Sequence, residues 1–159
     1  MISIADNDLF QLSWEDIKFG YGSEYLGWID VVNFAKHQLN FFPENDLICE
    51  LSLVTKSEAY KVGEIISKLS PNFDYTDYDK KKWLYLVLKS IYENKDSFND
   101  PLGEVEKVYE DFDYPEEIEP FVRYMPNDDW QTGMPSISEQ DAIRNLYSEW
   151  DMYLKKNSL

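Results

Sequence analysis

Single histidine and cysteine residues limit the metal and nucleophile chemistry open to this chain. A zinc site usually takes several histidine or cysteine ligands, so a site built around His37 would need carboxylates for the rest. Cys49 stands between an isoleucine and a glutamate, with no companion in the sequence that marks a catalytic dyad. We therefore interpret His37 as a partly exposed structural residue and Cys49 as a small, partly buried apolar one.

Three aspartates crowd one short stretch, at Asp74, Asp77 and Asp79. They lack the glycine and the terminal glutamate that an EF-hand loop requires. Asp77 and Asp79 precede a long apolar pattern, where carboxylates favour the N-terminal turn of a helix. We interpret these two as helix-start residues, with weak divalent-cation binding as the alternative. The sequence predicts no metal site and no cofactor.

The densest group of ionisable residues runs from Glu104 to Trp130. Its ten acidic and two basic residues, Lys107 and Arg123, leave a net charge of −8, which is half of the chain's −16. Paired carboxylates catalyse glycoside hydrolysis when they sit in different environments across a cleft. Clustering on one polar segment does not indicate such a pair. We therefore expect a binding protein rather than an enzyme, and an enzyme stays as an alternative.

Aromatic residues alternate with these acids and would supply rigid contact area at low entropy cost. Trp130 lies in a polar loop and is the best candidate for an exposed anchor. Tyr109, Phe112 and Phe121 fit a buried core equally well. The segment therefore combines charge with contact area, as expected of a surface that binds a basic protein.

The predicted partner-binding residues are the acids between Glu110 and Asp129, together with the tryptophan that follows them. They are Glu110, Asp111, Asp113, Glu116, Glu117, Glu119, Asp128, Asp129 and Trp130. Glu116 and Glu117 also have a structural interpretation. Pro115 suits the first position of a helix, and the two acids would then stabilise the positive end of its dipole.

The net charge of −16 disfavours contact with nucleic-acid phosphates and with anionic lipids. It favours a basic protein partner, because long-range attraction speeds the encounter between opposite charges. The charge also has a plainer explanation, since many soluble bacterial proteins are acidic. Charge therefore indicates the kind of partner without naming it.

Cys49 is the only cysteine, so no disulfide can form within the chain, as in proteins of a reducing compartment. The first residues, MISIADNDLFQLSWED, contain no basic segment followed by an apolar run of signal-peptide length. The longest apolar run, residues 83–88, is far shorter than the ~20 residues that span a bilayer. We therefore expect a cytoplasmic protein with no membrane contact, and its oligomeric state stays open.

Apolar residues recur three and four positions apart over most of the chain, a spacing typical of amphipathic helices. No alternating strand pattern of useful length and no glycine-rich phosphate motif accompany them. These patterns predict an all-α protein with about eight or nine helices in one compact domain over residues 1–159. The helix near residues 76–95 should be its apolar centre. A strongly acidic part begins at about residue 96, with net charges of −5 before it and −11 from it onward.

Capping residues give further helix boundaries. Ser13 with Asp16, and Thr55 with Glu58, have the spacing of capping boxes at two helix starts. The only basic cluster, residues 80–82, opens the long apolar helix. It is either a solvated first turn or a contact for the acidic C-terminal part.

Three segments carry a family resemblance: LFQLSWEDIKFGYGSEYLGWIDVVNFA at residues 9–35, PEEIEPFVRYMP at 115–126 and NLYSEWDMYLKK at 145–156. They resemble the bacterial family DUF2247, a domain of unknown function, and the resemblance spans most of the chain. Its most specific part is EPFVRYMP, within the second segment. The family has no agreed catalytic residues, so the resemblance transfers no site.

Small, acidic, cytosolic proteins of this kind often act as immunity proteins beside polymorphic or contact-dependent toxins. The resemblance therefore implies an inhibitor that covers the basic face of a cognate bacterial toxin, such as a nuclease. Two alternatives stay open, a DNA-mimic inhibitor of nucleic-acid-binding proteins and an uncharacterised enzyme. A DNA mimic would bind several basic proteins and lose them steeply with salt, whereas a dedicated inhibitor would keep one.

Overall fold

The computed structural model describes residues 2–123 and 139–159. Within these ranges the chain forms eight α-helices and three 3-10 helices and contains no strand, which confirms the predicted all-α class. The chain divides into two compact units, a first unit up to Trp83 that also includes Leu159, and a second unit from Leu84 to Ser158. The single domain over residues 1–159 stays a prediction.

Five α-helices and a 3-10 helix build most of the first unit. The helices are α1 (Asp6–Leu9), α2 (Trp14–Gly22), α3 (Trp28–Gln38), α4 (Asp46–Ser52) and α5 (Val62–Leu69), and the 3-10 helix is Lys56–Lys61. α2 packs against α3 and α5, and α4 packs against the same two helices. Their inward faces form a core of fully or almost fully buried side chains, which includes Ile17, Val31, Phe34, Leu51, Val62 and Ile66.

The two predicted capping boxes have different outcomes. At the start of α2, the Ser13 side chain accepts the Asp16 N–H at 3.2 Å and the Asp16 carboxylate accepts the Ser13 N–H at 2.9 Å, so this box is confirmed. Thr55 caps no backbone group, and its hydroxyl donates to the Glu58 carboxylate at 3.1 Å. The segment that follows Thr55 is a 3-10 helix rather than the predicted α-helix. Side chains three apart lie in line on such a helix, where Lys61 pairs with Glu58 at 3.1 Å.

The predicted apolar centre corresponds to α6 (Lys81–Glu93). The boundary between the two units falls within this helix, after Trp83. All side chains over residues 83–88 are buried. This burial agrees with the predicted apolar character of the helix.

α6 begins at Lys81 and not at the predicted Thr76. The Asp74 carboxylate accepts the Thr76 N–H at 2.9 Å and the Thr76 hydroxyl at 2.7 Å. The Asp79 carboxylate accepts the Lys81 N–H at 3.0 Å, which confirms that Asp79 serves the helix start. Such local side-chain bonds compete with helical hydrogen bonds and delay the helix.

The second unit contains α7 (Pro101–Asp111), α8 (Glu139–Lys156) and the 3-10 helices Lys95–Ser97 and Glu116–Phe121. The 3-10 helix Glu116–Phe121 packs against α8. The core of the second unit is formed by buried side chains that include Leu102, Val105, Ile118, Phe121 and Trp150. None of the helices in the described ranges combines the length and the apolar character needed to cross a membrane.

Candidate protein-binding surface

Glu110 and Asp111 lie exposed in the last turn of α7. That turn contains no basic residue, so both carboxylates stand at the negative end of the helix dipole. A charge at the unfavourable end of an exposed helix costs about 0.3–1 kcal/mol. The stability of α7 therefore does not explain why these two residues are acidic.

The two residues Asp113 and Tyr114, just after α7, adopt left-handed backbone conformations, with φ of 61° and 59°. Such conformations cost a non-glycine residue about 1–3 kcal/mol, so the surrounding contacts must hold them in place. The Asp113 N–H donates to the Glu110 carbonyl at 3.2 Å, and the Tyr114 N–H donates to the Tyr109 carbonyl at 2.8 Å. The turn is therefore anchored on the end of α7 and leads the chain into the 3-10 helix.

Tyr114 is 59% exposed, and its ring meets the Tyr109 ring edge-on at a centroid distance of 5.2 Å. The sequence-based prediction did not include Tyr114 among the partner-binding residues. The sequence could have indicated a break in the helix at Tyr114, because the residue before a proline is disfavoured in a helix and Pro115 follows. Phe112, by contrast, is buried and belongs to the core. Tyr114 is thus an exposed aromatic ring with acidic residues on both sides of it in the sequence.

The 3-10 helix Glu116–Phe121 presents Glu116 and Glu117 to solvent. It is held from the other side by Phe121, which is buried and stacks on the Trp150 ring of α8 with centroids 6.0 Å apart. Phe121 is therefore a core residue and not a contact residue. Rigid packing beneath the helix fixes where its two exposed carboxylates lie.

The short helix predicted here is present, but Pro115 does not occupy its first position. Pro115 is the N-cap, with an extended ψ of 126°, and the helix is of 3-10 type. Pro120 lies inside it and has no N–H with which to continue α-helical hydrogen bonding. Glu116 and Glu117 nevertheless occupy the first turn, so a favourable interaction with the helix dipole remains an alternative explanation for these two acids.

Glu119 differs from its neighbours because it is half-buried and has an internal partner. Its carboxylate accepts the Tyr109 hydroxyl at 2.8 Å. This hydrogen bond raises the pKa of Tyr109, because the carboxylate favours the protonated phenol. Glu119 therefore ties the 3-10 helix to α7 and offers less free charge to a partner.

Both basic residues of the acidic segment bind carboxylates outside the turn. Arg123 donates to Asp100 through two N–H groups, at 3.0 and 2.8 Å, and to Glu106 through Nε, at 2.9 Å. The hydrogen bonds to these two carboxylates raise the pKa of Arg123. Lys107 pairs with Glu104 at 3.0 Å.

Four of the predicted partner-binding residues form no such ion pair within the described ranges. Glu110, Asp111, Glu116 and Glu117 are exposed and have no ion-pair partner within residues 2–123 and 139–159. We call these four residues, with Asp113 between them, the acidic surface. The structure carries them on one anchored stretch of the second unit. The other predicted residues, Asp128, Asp129 and Trp130, lie outside the described residues.

A buried ionic cluster in the first unit was not predicted. Asp16 is only 5% exposed, and its carboxylate accepts the Lys82 ammonium at 2.8 Å and the Tyr78 hydroxyl in addition to the Ser13 N–H. Its backbone carbonyl accepts the Trp83 indole N–H at 3.0 Å. One lysine of the basic cluster 80–82 is thus used inside the first unit. Because every one of these contacts is internal, we interpret the cluster as structural.

The residues first considered for metal or nucleophile chemistry have internal contacts of their own. The His37 ring stacks on the Phe10 ring at a centroid distance of 4.0 Å. The Cys49 thiol lies 3.6 Å from the Pro43 carbonyl, as a weak hydrogen bond. Over the described part of the chain, no three histidine, cysteine, aspartate or glutamate residues are grouped so that they could hold a metal ion.

Comparison with known proteins identifies a family. The model of a family described as an uncharacterised protein conserved in bacteria, DUF2247, matches residues 2–158. No curated protein and no solved structure matches the chain.

Proposed function

The chain belongs to DUF2247, since that family model covers residues 2–158, and we propose that it binds a basic protein partner through its acidic surface. One observation carries the proposal. Glu110, Asp111, Glu116 and Glu117 are exposed, anchored and without an ion-pair partner in the described ranges. A basic face on a partner would compensate these charges, and long-range attraction would speed the encounter.

The loss of folding stability that these residues cause supports the same proposal. Glu110 and Asp111 stand at the unfavourable end of α7, and two neighbouring residues hold left-handed conformations. Features that cost stability persist where the surrounding structure holds them, and they concentrate at functional sites. Partner binding supplies a reason for keeping them.

More specifically, we propose that the basic partner is a bacterial toxin domain and that this chain is its immunity protein. A nuclease toxin suits the acidic surface, because a face that binds nucleic-acid phosphates is basic. The acidic surface would cover that face and block the substrate sterically and electrostatically. Tyr114, which is exposed within the same stretch, would slow release by adding aromatic contact area. The complex would form in the cytoplasm.

The test is capture of partners from the source bacterium by the tagged chain and two charge-reversed variants. Glu116→Lys/Glu117→Lys changes the acidic surface, and Glu24→Lys/Asp77→Lys changes two exposed acids of the first unit. Both variants move the net charge from −16 to −12. A loss that follows the acidic surface is thereby separated from a loss that follows total charge.

We expect one basic protein to be captured at moderate salt by the wild type and by the first-unit control. Its affinity for Glu116→Lys/Glu117→Lys should fall roughly tenfold or more. Inhibition of that protein's toxicity on co-expression would support the immunity role. Several basic partners that are all lost at moderate salt would favour DNA mimicry instead. Equal binding by both variants would contradict the acidic surface as the interface.

A further inference from the structure

Two adjacent phenylalanines of the first unit point into solvent. Phe41 is 64% exposed and Phe42 is 54% exposed, in the connection between α3 and α4 where residues 40–45 are all exposed. Single exposed apolar side chains are ordinary, but two large ones adjacent in the sequence, each more than half exposed, make a candidate contact site. Two neighbouring rings in a chain of net charge −16 therefore need an explanation.

The connection that carries the two rings is fixed by hydrogen bonds. The N–H groups of Phe41 and Phe42 both donate to the Gln38 carbonyl at the end of α3, at 3.0 and 2.9 Å. The Asn45 N–H donates to the Phe42 carbonyl at 3.2 Å, and the Asn45 side chain caps α4 by accepting the Ile48 N–H at 3.1 Å. The backbone that carries the rings is thus held in place before any partner binds. A preorganised contact loses less conformational entropy on association.

Packing within the first unit accounts for only part of this arrangement. The Phe41 ring meets the edge of His37 at a centroid distance of 5.4 Å, and His37 in turn stacks on Phe10. Phe41 therefore forms the outer end of a column of three rings, which supports its orientation but leaves most of its surface in water. Phe42 takes no part in this column.

The charges beside the rings indicate what covers them. Glu44 and Asp46 lie within four residues after the rings, Asp46 as the first residue of α4. Both are exposed and have no ion-pair partner in the part of the chain that the structure describes. A second copy of this chain would bring the same carboxylates and another −16 of charge against them. A protein whose apolar pocket has a basic rim would match both the rings and the carboxylates.

We propose that Phe41 and Phe42 are anchor residues that insert into an apolar pocket of a basic protein. This inference deepens the proposed function and rests on it for the identity of the partner. The rings would supply the contact that slows dissociation. The acidic surface would mainly speed association, since aromatic anchors and exposed charges act on different rate constants.

The experiment starts from the whole chain with a photo-reactive phenylalanine at position 42, cross-linked in the source bacterium. The cross-linked protein is then purified, and its binding is measured by surface plasmon resonance against the wild type and variants. Phe41→Ser/Phe42→Ser removes both rings. Leu53→Ser is the control, because Leu53 is 76% exposed in the same unit and lies outside this connection.

We expect a basic protein as the main cross-linked product. Loss of both anchors should weaken its binding by about 30-fold or more, chiefly through faster dissociation. Leu53→Ser should change the affinity by less than about twofold. Cross-linking mainly to a second copy of this chain, or no cross-linked protein, would overturn the proposal. Affinity within about twofold of the wild type for Phe41→Ser/Phe42→Ser would overturn it as well.

Surface plasmon resonance of both sets of variants also tests the anchor residues and the acidic surface independently. If Glu116→Lys/Glu117→Lys weakens binding and Phe41→Ser/Phe42→Ser does not, the phenylalanines are not anchor residues. The acidic surface is then still supported as the interface. If only the phenylalanine variant loses affinity, the role of the phenylalanines as anchor residues is supported. The acidic surface is then not part of the interface. Melting temperatures close to that of the wild type show that each variant is folded, since both phenylalanines lie outside the core.

Discussion

Asp16 joins distant parts of the first unit through one side chain and one carbonyl. Its buried carboxylate accepts hydrogen bonds from Ser13, Tyr78 and Lys82. Burial would raise the pKa of Asp16, but the hydrogen bonds from Lys82, Ser13 and Tyr78 outweigh it and lower the pKa below its ordinary value of 3.8. The ionised carboxylate is therefore the form that the folded protein stabilises.

Replacement of Asp16 by asparagine should destabilise the protein by about 1–3 kcal/mol near neutral pH. The amide keeps the shape but leaves the Lys82 ammonium without its counter-ion, and its NH2 group cannot accept a hydrogen bond. Urea denaturation measures the loss. Tyr78→Phe is the milder comparison, because it removes one donor and should cost about 1 kcal/mol. Equal stability of Asp16→Asn and the wild type would contradict a structural role for the cluster.

The contribution of Asp16 should depend on pH in one direction. Because its pKa is lower in the folded than in the unfolded state, its stabilisation is complete above the unfolded value near 3.8 and is lost as pH falls below it. The stability difference between the wild type and Asp16→Asn should therefore shrink between about pH 5 and pH 2. Urea denaturation of both proteins across this range measures the change. A difference that grows on acidification would show that the sign is wrong.

At the scale of elements, one position of α2 lies so close to the Trp83 side chain that it accepts only glycine. A Cβ atom at Gly20 would overlap the six-membered part of the Trp83 ring, which is fully buried. A rigid ring in a packed core cannot move aside cheaply. The close packing of α2 on Trp83 therefore depends on the absence of a side chain at residue 20.

Gly20→Ala should destabilise the protein by about 1–3 kcal/mol or more, because the added methyl group would overlap the buried Trp83 ring. Gly63→Ala in α5 is the matched control. Its Cβ would meet only Tyr21 Cε1, at an ordinary 3.8 Å. Alanine should stabilise that helix by up to about 1 kcal/mol. Opposite shifts of the melting temperature would confirm the packing argument, and a stabilising Gly20→Ala would contradict it.

The end of α7 allows a prediction in which stability and binding change in opposite directions. Glu110→Lys/Asp111→Lys should stabilise the protein by about 1–2 kcal/mol, because lysines favour the negative end of a helix. The same change should weaken partner binding. Thermal melting should show an increase of a few degrees.

Glu116→Lys/Glu117→Lys is the comparison for α7, because these acids occupy the first turn of their own 3-10 helix. That variant should lose both stability and binding. If Glu110→Lys/Asp111→Lys gains stability and keeps full affinity for the partner, the acids at the end of α7 do not belong to the interface.

Over the whole molecule, local chemistry predicted helices better than it predicted what the helices contact. The Ser13–Asp16 capping box and the apolar run over residues 83–88 depend on neighbours in the sequence, and both were predicted correctly. Tyr78 and Lys82 lie 62 and 66 residues from Asp16, so no local pattern could reveal their contacts with it. Tertiary pairing of this kind needs the folded chain.

The candidate site shows the same division between local and distant information. The sequence located the acidic stretch, but its local patterns did not show that Glu119 is held by Tyr109 or that Phe121 is buried. Those facts depend on packing against other elements. Helices were predicted near Lys56–Lys61 and Glu116–Phe121, but their 3-10 type was not. The reason is related, because apolar residues three apart suit an α-helix equally well.

The net charge of −16 should make the stability of the protein and its association with the partner respond to salt in opposite ways. Self-repulsion destabilises the compact state, so raising NaCl from about 20 to 300 mM should raise the melting temperature. The same screening should slow association with a basic partner by about tenfold or more. Glu116→Lys/Glu117→Lys and Glu24→Lys/Asp77→Lys carry equal total charge and should gain similar stability from salt. Only the first should lose the salt dependence of the association rate. An equal loss in both variants would mean that total charge, and not the acidic surface, steers the encounter.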